Sequence, residues 1–200
     1  ITDSASVIEA FTKEEIPAKY FYINKTTTPP KLSAEAYLVG DLNTGEVILS
    51  KNQDAVYPIA STSKLMTALV STEIKDINNT AKVSQKALAT QGTNGGMRVG
   101  EKIKTTDLLY PLLLESSNDA AEVLAEHFGR DSFIKKMNTV AENLKMTSTT
   151  YEDPSGLSPN NKSTVSDLFK LSGYLNQEKP DFFKITTKRS FSNKKHSWSN

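Results

Sequence analysis

A serine and a lysine stand three residues apart, as Ser61 and Lys64, in the run Tyr57-Pro58-Ile59-Ala60-Ser61-Thr62-Ser63-Lys64-Leu65-Met66-Thr67-Ala68-Leu69. A serine hydroxyl is a weak nucleophile until a neighbouring base takes its proton. A lysine does that work only when burial or nearby charge keeps it neutral near pH 7. Spacing of three residues puts both side chains on one face of a helix. Backbone N–H groups at a helix start also favour developing negative charge. The pattern alone is weak, because Ser-x-x-Lys recurs at Ser132/Lys135 and Ser192/Lys195. Ser132 opens a polar-faced helix and Ser192 lies in a basic, loop-like run, and neither needs a function.

A second candidate is Glu115-Ser116-Ser117-Asn118-Asp119-Ala120-Ala121. It reads as a break between two helices, where the Ser116 hydroxyl and the Asn118 carboxamide can face one cleft. A hydroxyl relays protons, and an amide both donates and accepts hydrogen bonds. Helix capping by Ser and Asn is the alternative account of the same residues.

The elements that must position these groups follow from the apolar pattern. Residues 34–42 and 46–50 read as two strands joined by the tight turn Asn43-Thr44-Gly45, a β-hairpin. Leu65, Met66, Leu69 and Val70 make 60–75 a buried helix, with Pro58 ahead of its start. Ala81 to Val83 reads as a short strand. Gln91-Gly92-Thr93-Asn94-Gly95-Gly96 lacks the Lys-Ser/Thr ending of a phosphate loop and reads as a turn. Helices are expected from Thr105 to about Glu115, from Ser117 or Asn118 to Gly129, and from a cap at Asp131 or Ser132. A further helix runs about 164–176 with Ser163 as its cap. Asp153-Pro154-Ser155-Gly156 is a turn, and 181–192 includes an edge strand. Strand, turn, strand, then helices on the sheet make an α+β layered fold.

Residues 1–16 read as a short helix ended by Pro17, and Lys25-Thr26-Thr27-Thr28-Pro29-Pro30 as an extended linker. This divides the chain into an N-terminal appendage, 1–30, and a main domain, 31–200, with a helical subdomain over about 80–165. The 200 residues carry a formal net charge of +1, which gives no reason to invoke nucleic acid. The absence of cysteine excludes disulfides, thiolate metal sites and a cysteine nucleophile. His127 and His196 have no second histidine at ligand spacing, so no metal is assigned. No apolar run reaches the eighteen or so residues of a membrane span, and no signal-peptide pattern is present.

Together these motifs resemble the serine penicillin-binding protein and β-lactamase superfamily, and within it the low-molecular-mass D-alanyl-D-alanine carboxypeptidases. The resemblance rests on the Ser61 segment, the Ala36-Tyr37-Leu38-Val39-Gly40-Asp41-Leu42-Asn43-Thr44-Gly45 hairpin, and Asp107-Leu108-Leu109-Tyr110 through Ala121. Asp153-Pro154-Ser155-Gly156-Leu157 and Ser163-Thr164-Val165-Ser166-Asp167-Leu168 extend it, over about residues 33 to 200 in all. It implies a β-lactamase/transpeptidase-like fold with an antiparallel sheet flanked by helices and a helical subdomain. It implies Ser61 as the acylated nucleophile, Lys64 as its base, Ser116 as proton relay and Asn118 as the holder of the substrate's amide. It implies a peptidoglycan stem peptide as substrate, β-lactams as acylating inhibitors, no cofactor, an extracytoplasmic place of work and any membrane anchor outside this chain. A D,D-endopeptidase shares every motif. A β-lactamase is disfavoured, since Glu142-Asn143-Leu144 does not match a Glu-x-x-Leu-Asn segment. The family's third motif, Lys-Thr-Gly, is not found among the 200 residues, and His196-Ser197-Trp198-Ser199-Asn200 resembles the stretch shortly before it. The sheet strands that carry and flank that motif are therefore expected to be missing. A catalytically silent peptidoglycan- or penicillin-binding module is the alternative from another class.

Overall fold

The computed structural model describes residues 30–74 and 79–200. The expected N-terminal helix, and the linker up to Pro29, lie outside the described residues. Helices dominate, joined by four two-stranded antiparallel pairs.

The first pair is the expected hairpin. β1 (Tyr37–Gly40) runs against β2 (Val47–Lys51), in register from Tyr37 opposite Lys51 to Val39 opposite Leu49, with an irregularity between Val39 and Gly40. Asp41 builds the turn: its Oδ1 accepts the Asn43 N–H at 2.7 Å, and its carbonyl accepts the Gly45 N–H at 2.8 Å. No third strand pairs with this hairpin among the described residues, and Val39, Val47 and Ile48 stay exposed. An unpaired edge of this kind is a surface that a further strand can cover.

β3 (Tyr57–Pro58) pairs with β6 (Lys162–Ser163). Between β3 and the first helix comes a 3-10 turn, Ala60–Thr62, and then α1 (Ser63–Glu73). The expected single helix from residue 60 is thus split. Ala60, at the outer end of the 3-10 turn, takes a φ of +45°, outside the helical region. α1 is buried on nearly every side, Met66, Ala68, Leu69 and Val70 being wholly so. Its buried surface also holds Ser63, Lys64, Thr67 and Ser71, and α1 packs against three other helices. These are α3 (Thr105–Leu114), α4 (Asn118–His127) and α5 (Arg130–Asn143). They contribute Leu108 and Leu112, Ala120 and Leu124, and Phe133 and Met137 to the same core.

Several short elements escaped the sequence reading, two of them between α1 and α3. These two are α2 (Gln85–Leu88), capped by the Ser84 hydroxyl, and β5 (Lys102–Lys104), the partner of β4 (Thr80–Lys82). α5 begins at Arg130, ahead of the expected caps, and Asp131 falls in its first turn, where negative charge suits the helix end. α6 (Val165–Glu178) is capped by Thr164 in place of Ser163, whose hydroxyl faces Thr149 instead. The stretch 181–192 does include a strand, β7 (Ser190–Ser192), which pairs with β8 (Ser197–Ser199), but it is preceded by a helix the sequence reading did not give, α7 (Asp181–Thr186). Trp198 of β8 is buried and stacks near Phe191, and its Nε1 donates to the Gly95 carbonyl at 2.8 Å. The last hairpin is thereby pinned to the glycine-rich loop.

Candidate active site

Ser61 lies in the 3-10 turn with its side chain exposed, directly above a lysine that is 2% exposed. Lys64 Nζ stands 3.0 Å from Ser61 Oγ and donates to the Ser155 carbonyl at 2.7 Å. Burial strips water from the ammonium and lowers the Lys64 pKa to about 8, while the Asp153 charge pulls the other way. At pH 7 roughly one Lys64 in ten is then neutral, against roughly one in three thousand for an ordinary lysine. An accessible hydroxyl over a part-neutral amine at hydrogen-bond distance meets the geometric requirement for nucleophile activation.

The turn is held by a loop nearly a hundred residues away in sequence. Asp153 is its hub. The carboxylate accepts from the N–H groups of Ser155 at 2.7 Å, Gly156 at 2.6 Å and Ser158 at 2.5 Å, and from the Ser155 hydroxyl at 2.9 Å. Burial works to raise the Asp153 pKa, but the N–H groups of Ser158 and Gly156 and the two Ser155 donors bring it below the ordinary value. The Pro154 carbonyl accepts from Thr67 Oγ1 at 2.5 Å, one turn beyond Lys64 on α1. Asn161, fully buried, donates to Ser63 Oγ at 3.0 Å and to the Asp153 carbonyl at 2.9 Å. Its own carbonyl oxygen of the main chain accepts the Ile59 N–H at 3.0 Å. Loop 152–163 therefore grips both sides of the Ser61 turn.

Ser116 and Asn118 sit at the break between α3 and α4. Ser116 is half-buried and takes φ +57°, a left-handed conformation rare for a side-chain-bearing residue. Ala60, beside Ser61, does the same, and such strain clusters where function demands a particular backbone. No hydrogen bond joins Ser116 or Asn118 to Ser61 or Lys64. What connects the two groups is packing: α3 and α4 both lie against α1. Asn118 is partly committed, since its Nδ2 donates to the Gln91 carbonyl at 2.7 Å and its backbone N–H to the Thr93 carbonyl at 2.8 Å.

The glycine-rich loop is thus more than the turn read from its sequence. Besides Asn118, Asp119 holds it by accepting the Gly95 N–H at 2.9 Å, and Asp119 also receives the Ser117 hydroxyl. Gly92, at φ +91°, lies so close that a Cβ would stand 2.5 Å from Asn118 Nδ2. The Gln-Gly and Asn-Gly-Gly pairs flagged tight backbone, but not what the backbone approaches. Asp153 was legible as a turn former only and Asn161 carried no signal; the contacts of their loop to Ser63, Lys64 and Ile59 leave no local trace. A cavity of about 550 Å³ lies elsewhere, lined by Gly96, Arg98, Glu101, Lys195 and His196 among others, and includes none of the four candidate residues.

Comparison with known proteins places these features in context. Residues 23–200 match the Peptidase_S11 family, described as D-alanyl-D-alanine carboxypeptidase. A D-alanyl-D-alanine endopeptidase of Escherichia coli K12 is 39% identical over 150 residues, covering 73% of this chain and 48% of the relative. The D-alanyl-D-alanine carboxypeptidase DacB2 of Mycobacterium tuberculosis is 36% identical over 143 residues, covering 70% of this chain and 49% of the relative. The chain spans about half the length of the curated relatives it matches. Among solved structures, a D-alanyl-D-alanine carboxypeptidase from Mycobacterium tuberculosis H37Rv superposes with a TM-score of 0.79 at 32% identity, covering 86% of this chain and 68% of that one. A mutant of the Streptomyces K15 DD-transpeptidase also gives 0.79, at 26% identity, covering 86% and 75%.

Proposed function

The chain belongs to the D-alanyl-D-alanine carboxypeptidase family, and on that premise we propose that its full-length protein is a serine D,D-carboxypeptidase that removes the terminal D-alanine of peptidoglycan stem peptides. The observation that carries the reading is the 3.0 Å contact between the exposed Ser61 hydroxyl and the buried, low-pKa Lys64.

In this reading Lys64 takes the Ser61 proton as Oγ attacks the carbonyl carbon of the penultimate D-alanine. The Ser61 backbone N–H supplies part of the oxyanion site. Collapse of the tetrahedral intermediate breaks the C–N bond, and Ser116 passes a proton to the departing D-alanine nitrogen. Asn118 holds the substrate's amide with the part of its carboxamide not taken by Gln91. Water then attacks the ester and frees the shortened peptide. A β-lactam enters by the same attack, but its leaving nitrogen stays tethered. Such a substrate puts the work outside the cytoplasmic membrane. Among the described residues no helix is long and apolar enough to cross a membrane.

Relatives named endopeptidase, at 39% identity, favour one second reading: cleavage of cross-links through the same Ser61 acyl-enzyme. The test is mass spectrometry of the full-length protein with a penicillin, followed by assays on a stem pentapeptide and a cross-linked muropeptide. One adduct on Ser61 and release of free D-alanine support the carboxypeptidase. Cleavage of only the cross-linked substrate supports the endopeptidase. No adduct, with no turnover, returns the chain to a silent binding module.

A further inference from the structure

We propose that Asp153 is a positioning residue of the reaction: its carboxylate shapes the loop that presents the Ser155 carbonyl to Lys64, and its charge acts on the same amine. The proposal rests on the reading of Lys64 as the base of Ser61.

Geometry carries the first half. Four donors from Ser155, Gly156 and Ser158 converge on one carboxylate that is 8% exposed. That convergence bends the chain so that the Ser155 carbonyl reaches Lys64 Nζ at 2.7 Å. The carbonyl and Ser61 Oγ are the two partners of the amine, so the loop decides where the amine points. A surface turn would not need a buried carboxylate with this many donors. The same loop is tied to α1 twice more, through Thr67 and through Asn161 on Ser63.

Electrostatics carries the second half. Of the elements packed on α1, α3 brings Asp107, hydrogen-bonded to Asn193. α4 brings Asp119, spent on the Gly95 N–H, and Glu122, paired with Arg130 of α5 at 2.8 Å. Asp153 is joined to the amine through one residue, since Ser155 gives its carbonyl to Lys64 at 2.7 Å and its N–H to Asp153 Oδ1 at 2.7 Å; from there its charge opposes the lowering caused by burial. Its own pKa is held below normal, so it stays ionised throughout the range in which Lys64 titrates. Removing that charge makes the neutral amine easier to reach.

The experiment uses the full-length protein with Asp153→Asn and Asp153→Glu. Trace acetylation by acetic anhydride across pH, read peptide by peptide in a mass spectrometer, follows Lys64 without any turnover. The labelling midpoint of Lys64 should fall by about one pH unit in Asp153→Asn and stay in place in Asp153→Glu. An unmoved midpoint in Asp153→Asn overturns the electrostatic half. In parallel, the rate of Ser61 acylation by a fluorescent penicillin should show its acid limb displaced to lower pH in Asp153→Asn only, with a plateau at least tenfold lower in both variants. A wild-type plateau in Asp153→Glu overturns the positioning half. If Asp153→Asn does not fold, Asp153→Ala takes its place in the acetylation series while Asp153→Glu decides the positioning half on its plateau, and collapse of all three makes Asp153 merely structural and overturns the proposal. Failure of the Ser61 reading looks different: the wild type takes no penicillin, while the acetylation midpoints still respond to Asp153.

Discussion

Gly156 packs against the main chain of Ala60 so tightly that a Cβ on it would stand 1.9 Å from the Ala60 carbonyl oxygen and 3.0 Å from the Ser61 nitrogen. Two left-handed residues meet here, Gly156 at φ +88° and Ala60 at φ +45°. The contact fixes the peptide that carries Ser61, from a loop whose next residue back binds Lys64. Ser61 and Lys64 are thus aligned by one surface.

Gly156→Ala should therefore be severe. The new methyl group must displace backbone, and alanine resists positive φ. We expect a loss of about 2–4 kcal/mol, or a melting temperature lower by about 4–16 °C for a domain of this size. Penicillin labelling should fall further than the lost stability explains, because the displaced atoms are the Ala60–Ser61 peptide itself. Thermal melts and labelling rates on the same preparation check both.

Ser61→Ala should do the opposite. Ser61 is exposed and its side chain has a single hydrogen bond, to Lys64. Melting should change by less than about 2 °C, since surface changes cost within about 0.5 kcal/mol. Covalent labelling should vanish. Intact mass with and without a penicillin reads it directly, and a persistent adduct would remove Ser61 from the nucleophile's role.

Much of this arrangement was legible in the sequence, and the reasons for what was not are physical. α1 announced itself because Leu65, Met66, Leu69 and Val70 repeat at helical spacing. The α3–α4 break announced itself because Ser117 and Asn118 are cap formers, and Ser117 does cap α4. The left-handed turn at Ala60 had no signal, because alanine does not prefer that conformation and tertiary packing imposes it. Lys102-Ile103-Lys104 and Gln85–Leu88 were too short for periodicity to register. The grip of loop 152–163 was out of reach for another reason. The Ser155–Lys64 and Asn161–Ser63 bonds span 91 and 98 residues, and no local pattern encodes a partner at that range.

Lys64→Met tests the cost of a buried amine. The Lys64 pKa falls from an unfolded 10.5 to about 8 in the folded chain. Between those values the unfolded state binds more protons, so stability rises with pH across that window. Below pH 8 the whole penalty stands, on the order of 3 kcal/mol. Methionine keeps the length and carries no charge, so Lys64→Met should melt higher than wild type at pH 7. The gap should close as pH approaches 10.5, and acylation should be lost throughout. Melting curves from pH 6 to 10.5 check this; a lower melting temperature at pH 7 would make Lys64 a net stabiliser instead.

Asn118→Ala separates capture of substrate from support of the loop. Asn118 is 6% exposed, and its side chain donates one hydrogen bond, to the Gln91 carbonyl. Removing it leaves that carbonyl unpaired and opens space beside Gly92, which should cost about 1–2 kcal/mol. Gly92→Ala attacks the same contact from the other side, since its Cβ would stand 2.5 Å from Asn118 Nδ2 and push the amide away. Loop support alone predicts that both variants lose stability and turnover in parallel. A hand on the substrate predicts more: Asn118→Ala should lose at least tenfold in acylation rate beyond Gly92→Ala at matched stability, because only the former lacks the amide. Peptide hydrolysis and penicillin acylation, measured for both variants well below their melting temperatures, distinguish the two roles.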